Sequence, residues 1–139
     1  MQVVFEKVEG GELPTYAHDN DTCMDLYART EHTIHPGETA LVPVGFKVAV
    51  PDGHGMFIYS RSGLALRGLV VNNAPGVIDP GYRGEVKVQI RNDDIVDWWI
   101  VEGDRIAQAA IQETPHVTIV EGTLDDTERG ENGFGSTGQ

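Results

Sequence analysis

Asp79 and Tyr82 flank a Pro80-Gly81 turn inside the stretch NNAPGVIDPGYRGEVKV, residues 72–88. Proline fixes φ and glycine accepts φ > 0, so the dipeptide makes a tight turn with an acid on one side and an aromatic ring on the other. Four more polar islands accompany it: MDLYA with Asp25, SRSGLA with Arg61, Ser62 and Gly63, GDRIAQ with Arg105 and Gln108, and RGENGFGSTG with Arg129, Phe134, Gly135 and Ser136. Each is strand-flanked or contains glycine, and each carries groups able to hold phosphate, sugar or base. Taken singly, each also has an ordinary reading. The first is a hairpin with a polar tip, SRSGLA a helical turn capped by Ser60 or Ser62, GDRIAQ a turn with a surface ion pair, and the last island a frayed tail.

The elements that must position these groups are short and extended. VVFEKVE alternates as a first strand, residues 24–28 form a second, and HTIHPGETALVPVGFKVAVPDG holds two more, split at Pro36-Gly37. HGMFIYS is another strand, and SRSGLALRG is the one helical turn. Strands flank the Pro80-Gly81 turn, two more are hinged at Gly103-Asp104, and HVTIVEG is the last. Strands recurring every ~8–12 residues with turn signals between them indicate a sandwich, jelly roll or barrel. In Trp98-Trp99 one ring must face inward and one outward. From residue 123 the apolar pattern stops, which divides the chain into a β domain, residues 1–122, and an arm, residues 123–139.

Ten basic against 22 acidic residues give a net charge of −12, which argues against non-specific nucleic-acid binding. A phosphorylated small molecule remains admissible, because it needs only a few well-placed arginines and amides. No apolar run reaches membrane-spanning length and the first residues lack a signal peptide's pattern. The single cysteine, Cys23, excludes an internal disulfide framework. The expected location is cytoplasmic, with no membrane partner. The five histidines are scattered and show no zinc spacing.

In this order the five islands resemble the motifs of the homotrimeric deoxyuridine triphosphatases (dUTPases), from about Ala17 to Gly138. The resemblance implies an all-β jelly-roll protomer with one short helical turn and a flexible C-terminal arm. It further implies a homotrimer with active sites at subunit interfaces and Mg²⁺-assisted hydrolysis of dUTP to dUMP and pyrophosphate. That reaction would limit uracil incorporation into DNA and supply dUMP for thymidylate synthesis.

The roles that follow are likewise implied by resemblance. Asp79 would deprotonate a water for attack on the α-phosphorus, and Tyr82 would pack beneath C2′ of the deoxyribose and refuse a ribose. Asn73 would read uracil with its amide, within a tight backbone that includes Gly76. Val77, Ile78 and Lys87 would touch the ligand mainly through their main chain. Arg61, Ser62, Gly63 and Gln108 would hold the phosphates, and Asp25 would hold Mg²⁺ through waters. Arg105 would be structural. The arm would act as a lid over a neighbouring subunit's site, Arg129 meeting the γ-phosphate, Phe134 stacking on uracil, and Gly135, Ser136 and Thr137 wrapping the phosphates. Two departures stand out: AHDNDTCM replaces the family's usual small-residue run, and Asn132 stands where glycine is common.

Two rivals bear comparison. The dCTP deaminases share this fold and use a glutamate on the strand after a similar turn to shuttle protons, but that position here is Gln89. The other is a non-catalytic regulator that keeps the nucleotide pocket to signal through a partner. The presence of Asp79, Tyr82, Arg129 and Phe134 argues against a loss of catalysis.

Overall fold

Alternation decides which side chains form the core. In the run KVQIRN, every second residue is buried: Val88, Ile90 and Asn92. The computed structural model describes residues 1–138. Along the chain lie β1 (Val4–Lys7), β2 (Met24–Tyr27), β3 (His32–Ile34), β4 (Thr39–Pro43), β5 (Phe46–Ala49) and β6 (His54–Tyr59). There follow α1 (Ser62–Leu66), β7 (Leu69–Val71), β8 (Gly76–Ile78), β9 (Lys87–Asn92), β10 (Trp98–Ile100) and β11 (Arg105–Glu113). The pairing is antiparallel throughout: β2-β11-β6-β8 in one sheet, β4-β9-β7 in another, and the pairs β1-β5 and β10-β3. This is an all-β fold of the jelly-roll type. Its core is filled by Leu26, Val42, Val44, Phe46, Met56, Ile58, Val86, Val88, Ile90 and Ile100.

Three sequence expectations change. The segment after Pro36-Gly37 forms β4 and β5 rather than one strand, because Gly45 sits at φ 80° and breaks the run. The backbones of Gly11 and Gly45 cross so closely there that a Cβ on Gly11 would lie 2.2 Å from the Gly45 carbonyl oxygen. The stretch around Pro80-Gly81 is not a hairpin. Its flanking strands belong to different sheets, β8 pairing with β6 and β9 with β7 and β4, so the turn is an arch between sheets. HVTIVEG is not a strand: Val117, Ile119 and Val120 are 77–91% exposed. The reason is pairing, since the chain leaves the sheet after Glu113 and no strand edge among the described residues receives it.

Asn92 is fully buried and fully satisfied. Its amide donates to Ile34 O and Val96 O, both at 2.8 Å, and its Oδ1 accepts the Asp94 N–H at 2.8 Å. Asn92→Ala leaves three buried or half-buried backbone groups without their partner. We expect a loss of about 3 kcal/mol in urea unfolding at fixed protein concentration.

Candidate active site

Strand register assembles the first part of the site. Gln108 on β11 stands directly opposite Asp25 on β2 and, on its other side, opposite Tyr59 at the end of β6. Directly opposed residues point to one face of a sheet. Asp25, Gln108 and the turn that follows β6 therefore come into one row. Asp25, Gln108, Arg61, Ser62 and Gly63 line a cleft of about 790 Å³ together with His18, Asp21, Cys23, Arg67 and Arg105.

Asp25 is the buried acid of this cleft. Arg61 Nε lies 3.4 Å from its Oδ1 and Arg105 Nη1 3.4 Å from its Oδ2, while Arg61 Nη1 donates to Arg105 O at 3.1 Å. Three arginines against two carboxylates give the cleft an anion-binding balance in an acidic protein. Burial, and then the Asp25 charge, push the Cys23 thiol above its ordinary range, which keeps it protonated. Neither serine caps α1: its N-cap residue is Arg61, without a side-chain cap, and Ser60 Oγ instead accepts the Val71 N–H at 2.8 Å. The N–H groups of the first turn, those of the cleft-lining Ser62 and Gly63 among them, have no acceptor within the helix.

Gln108 does not point freely into this space, since its amide donates to Ser60 O at 2.9 Å. To bind phosphate it must exchange that partner. Among the described residues no three His, Cys, Asp or Glu side chains gather at one point. The donor set therefore offers no cage made of protein alone. A single buried carboxylate beside an anion cleft does fit a hard cation that arrives on phosphates and keeps its waters.

A second, smaller cavity of about 170 Å³ is lined by Asn73, Gly76, Val77, Ile78 and Lys87 with Ile58, Val71 and Val88. The Asn73 side chain lies over Gly76: a Cβ there would be 3.6 Å from both amide atoms, an ordinary contact. Nothing within the protomer thus demands glycine at position 76. Asp79 and Tyr82 follow the end of β8 and line neither cavity. Asp79 is exposed and its side chain has no hydrogen-bond partner among the described residues, while its carbonyl accepts the Tyr82 N–H at 3.1 Å. Tyr82 is 43% exposed, and its hydroxyl donates to Glu85 O at 2.9 Å.

The arm meets neither cavity. Arg129, Phe134, Gly135 and Ser136 are exposed, and the hydrogen bonds of residues 127–138 are local, such as Arg129 Nε to Asn132 O at 2.9 Å. One protomer therefore brings together Asp25, Arg61, Ser62, Gly63 and Gln108 in one place and Asn73, Gly76, Val77, Ile78 and Lys87 in another. It joins neither group to the arm.

Several cleft residues escaped the sequence reading, among them Arg67, His18, Asp21 and Cys23. Arg67 ends α1 with its guanidinium 4.7 Å from the Trp98 ring centroid, and its place six residues after Arg61 was the available signal. His18 lies in the atypical AHDNDTCM run, where its N–H is held by Asp21 Oδ2 at 2.8 Å. Arg105, expected to be structural, also lines the cleft. The tryptophan question is settled: Trp98 is the inward ring, and Trp99 is 67% exposed with its indole N–H on Glu31.

A family model described as dUTPase matches residues 9–138. The deoxyuridine 5'-triphosphate nucleotidohydrolase of Thermobifida fusca (strain YX) is 49% identical over 129 residues, covering 91% of this chain and 72% of that protein. The enzyme of the same name from Leifsonia xyli subsp. xyli (strain CTCB07) is 45% identical, covering 91% and 85%. Among solved structures, the dUTPase of Staphylococcus bacteriophage 80alpha with dUPNHPP superposes with a TM-score of 0.89 at 27% identity, over 99% of both chains. By family model, sequence and fold alike, this chain belongs to the dUTPase family.

Proposed function

We propose that this dUTP diphosphatase cleaves dUTP between the α- and β-phosphates by attack of a water molecule on the α-phosphorus, with Asp79 as the base. The observation that carries the reading is the anion cleft, where Asp25, Arg61, Ser62, Gly63 and Gln108 converge. The cleft lies in a chain whose relatives carry the name deoxyuridine triphosphate nucleotidohydrolase.

The reaction needs a proton acceptor, a clamp for the triphosphate and a means of choosing the base. Asp79 takes the proton from the attacking water as the new P–O bond forms, and pyrophosphate leaves as the bond to the bridging oxygen breaks. Its exposed carboxylate, unengaged among the described residues, suits that task. Arg61, the N–H groups of Ser62 and Gly63, the Ser62 hydroxyl and the Gln108 amide hold the phosphates. Asp25 would hold Mg²⁺ through waters, and the ion would supply charge neutralisation for the departing pyrophosphate.

Asn73 accepts from uracil N3–H and donates to O4. Cytosine presents the opposite pattern at both positions and would leave buried groups unpaired. Lys87 and the backbone of Gly76, Val77 and Ile78 line the base pocket, and Tyr82 lies against the sugar. The site is completed in a homotrimer, where the arm of one subunit brings Arg129, Phe134, Gly135 and Ser136 to another. The separation of the two cavities, and the arm's lack of contact with either, support this assembly. A reducing, cytoplasmic setting suits the lone Cys23.

The test is pyrophosphate release from dUTP, dCTP, dTTP and UTP in the presence of Mg²⁺. Rapid release from dUTP is expected, with the other three slower by on the order of 10³-fold or more. Ammonia from dCTP would contradict the reading. So would tight binding of dUTP without turnover. Gln89 lies on β9, where the deaminases' proton-shuttling glutamate would be required, and an amide cannot perform that step.

A further inference from the structure

Residues 79–85 carry the proposed base and the proposed sugar-facing ring. They run from the end of β8 to Val86, whose N–H returns to Phe46 O at 2.9 Å. Most of their hydrogen bonds close within the loop. The Tyr82 N–H reaches Asp79 O at 3.1 Å, and Arg83 Nη1 donates to Pro80 O at 2.6 Å and Tyr82 O at 3.0 Å. The Tyr82 hydroxyl returns to Glu85 O, and its ring lies on Gly84, where a Cβ would stand 2.4 Å from Oη. Among the described residues, one group ties this loop to the rest of the protomer by hydrogen bonds, the Glu85 carboxylate.

That carboxylate is held at three points. Arg29 Nε donates to Oε2 at 2.7 Å, Arg29 Nη2 to Oε1 at 2.9 Å, and the Gly45 N–H to Oε2 at 3.2 Å. The side chains are only 28% and 15% exposed. The Arg29 bonds first, then the Gly45 amide, hold the Glu85 carboxyl below the usual carboxylate range. Arg29 is itself anchored, its N–H donating to Pro43 O at 2.9 Å just beyond the strand that carries Asp25. A planar fork on a carboxylate fixes orientation as well as distance, which a single point charge does not. Glu85 therefore links two contacts: its side chain is fixed to the body of the protomer, and its carbonyl receives the ring hydroxyl.

We infer that the Arg29–Glu85 pair is the positioning device for Tyr82, and that it sets how strictly the site refuses a 2′-hydroxyl. The inference rests on Tyr82 facing the sugar, as proposed above. A ring rejects one extra oxygen only while it cannot retreat, and a displacement of about 1 Å is enough to alter rates severalfold or more. A pair that only stabilised the fold would behave differently. Its loss would lower the melting temperature and slow dUTP and UTP in proportion, leaving their ratio unchanged.

The experiment is kcat and KM for dUTP and UTP with the full chain carrying Glu85→Gln, Arg29→Lys or Tyr82→Ala, with melting temperatures alongside. Tyr82→Ala is expected to lower the preference for dUTP most. Glu85→Gln is expected to lower it about tenfold in kcat/KM, and Arg29→Lys in the same direction by less, since it keeps the charge and loses the fork. Arg29→Lys also preserves the test should Glu85→Gln fail to fold. If Tyr82→Ala lowers the preference while both pair variants keep the wild-type ratio, the pair is structural and the inference falls with the sugar reading intact. If Tyr82→Ala itself leaves the ratio unchanged, the sugar reading falls and takes the inference with it.

Discussion

Asp79→Asn is expected to slow pyrophosphate release from dUTP by about 10³-fold and to leave the fold untouched. Loss of a general base removes roughly 10²–10⁴ of rate, and asparagine keeps the size and shape of the side chain while abolishing its basicity. Stability is spared because the Asp79 carboxylate is exposed and accepts no hydrogen bond among the described residues. Only its carbonyl is used, by the Tyr82 N–H, and the substitution does not alter that group. A change in melting free energy within about 0.5 kcal/mol is therefore expected. Single-turnover rates with saturating dUTP separate the chemical step from binding, and nucleotide affinity is expected to change little. If the single-turnover rate stayed within threefold of wild type, Asp79 could not be the base.

Much of this was legible because β structure writes its face preference into the sequence. KVQIRN announces an inward Val88 and Ile90 through period two alone, and Gly103-Asp104 announces the hinge between β10 and β11. Alternation says which way a side chain points but not which strand lies beside it. The Pro80-Gly81 arch was open to misreading as a hairpin for that reason: the turn chemistry is the same, and only the partners of β8 and β9 distinguish the two. HVTIVEG fails similarly, as a strand pattern without a strand edge to join. At the site, Asp25, Arg61, Ser62, Gly63 and Gln108 carry motif signals and converge on one cleft. Arg67 and His18 reach the same cleft only through the folding of α1 and of the loop before β2. Long-range register, which no local pattern encodes, also engages the Gln108 amide with Ser60 and stations Glu85 against Arg29.

Ending the chain after Gly122 gives the second large effect, a fall in kcat/KM on the order of 10²–10³-fold, comparable to losing a transition-state donor together with a lid. The fold is expected to survive, since residues 123–138 are all exposed and their hydrogen bonds stay within the arm. Phe134 is fully exposed, an arrangement that leaves a large apolar surface without a partner in its own protomer. Stacking on a base would bury that ring, and Arg129 would gain a phosphate in place of its present bond to Asn132 O. Whether the arm serves its own subunit or a neighbour is decided by mixing the truncated chain with the Asp79→Asn chain and allowing subunits to exchange. Each parent is expected to be nearly inactive, one for want of arms and the other for want of the proposed base. If arms act across subunits, a mixed trimer contains sites in which an intact Asp79 of a truncated subunit is covered by the arm of an Asp79→Asn subunit, and activity returns. If each arm closes on its own subunit, no mixture restores such a site and the rates remain the sum of the parents. Recovery of activity thus tests subunit association, the sharing of sites and the arm's role in one measurement, because a site that draws its base and its arm from different subunits requires all three.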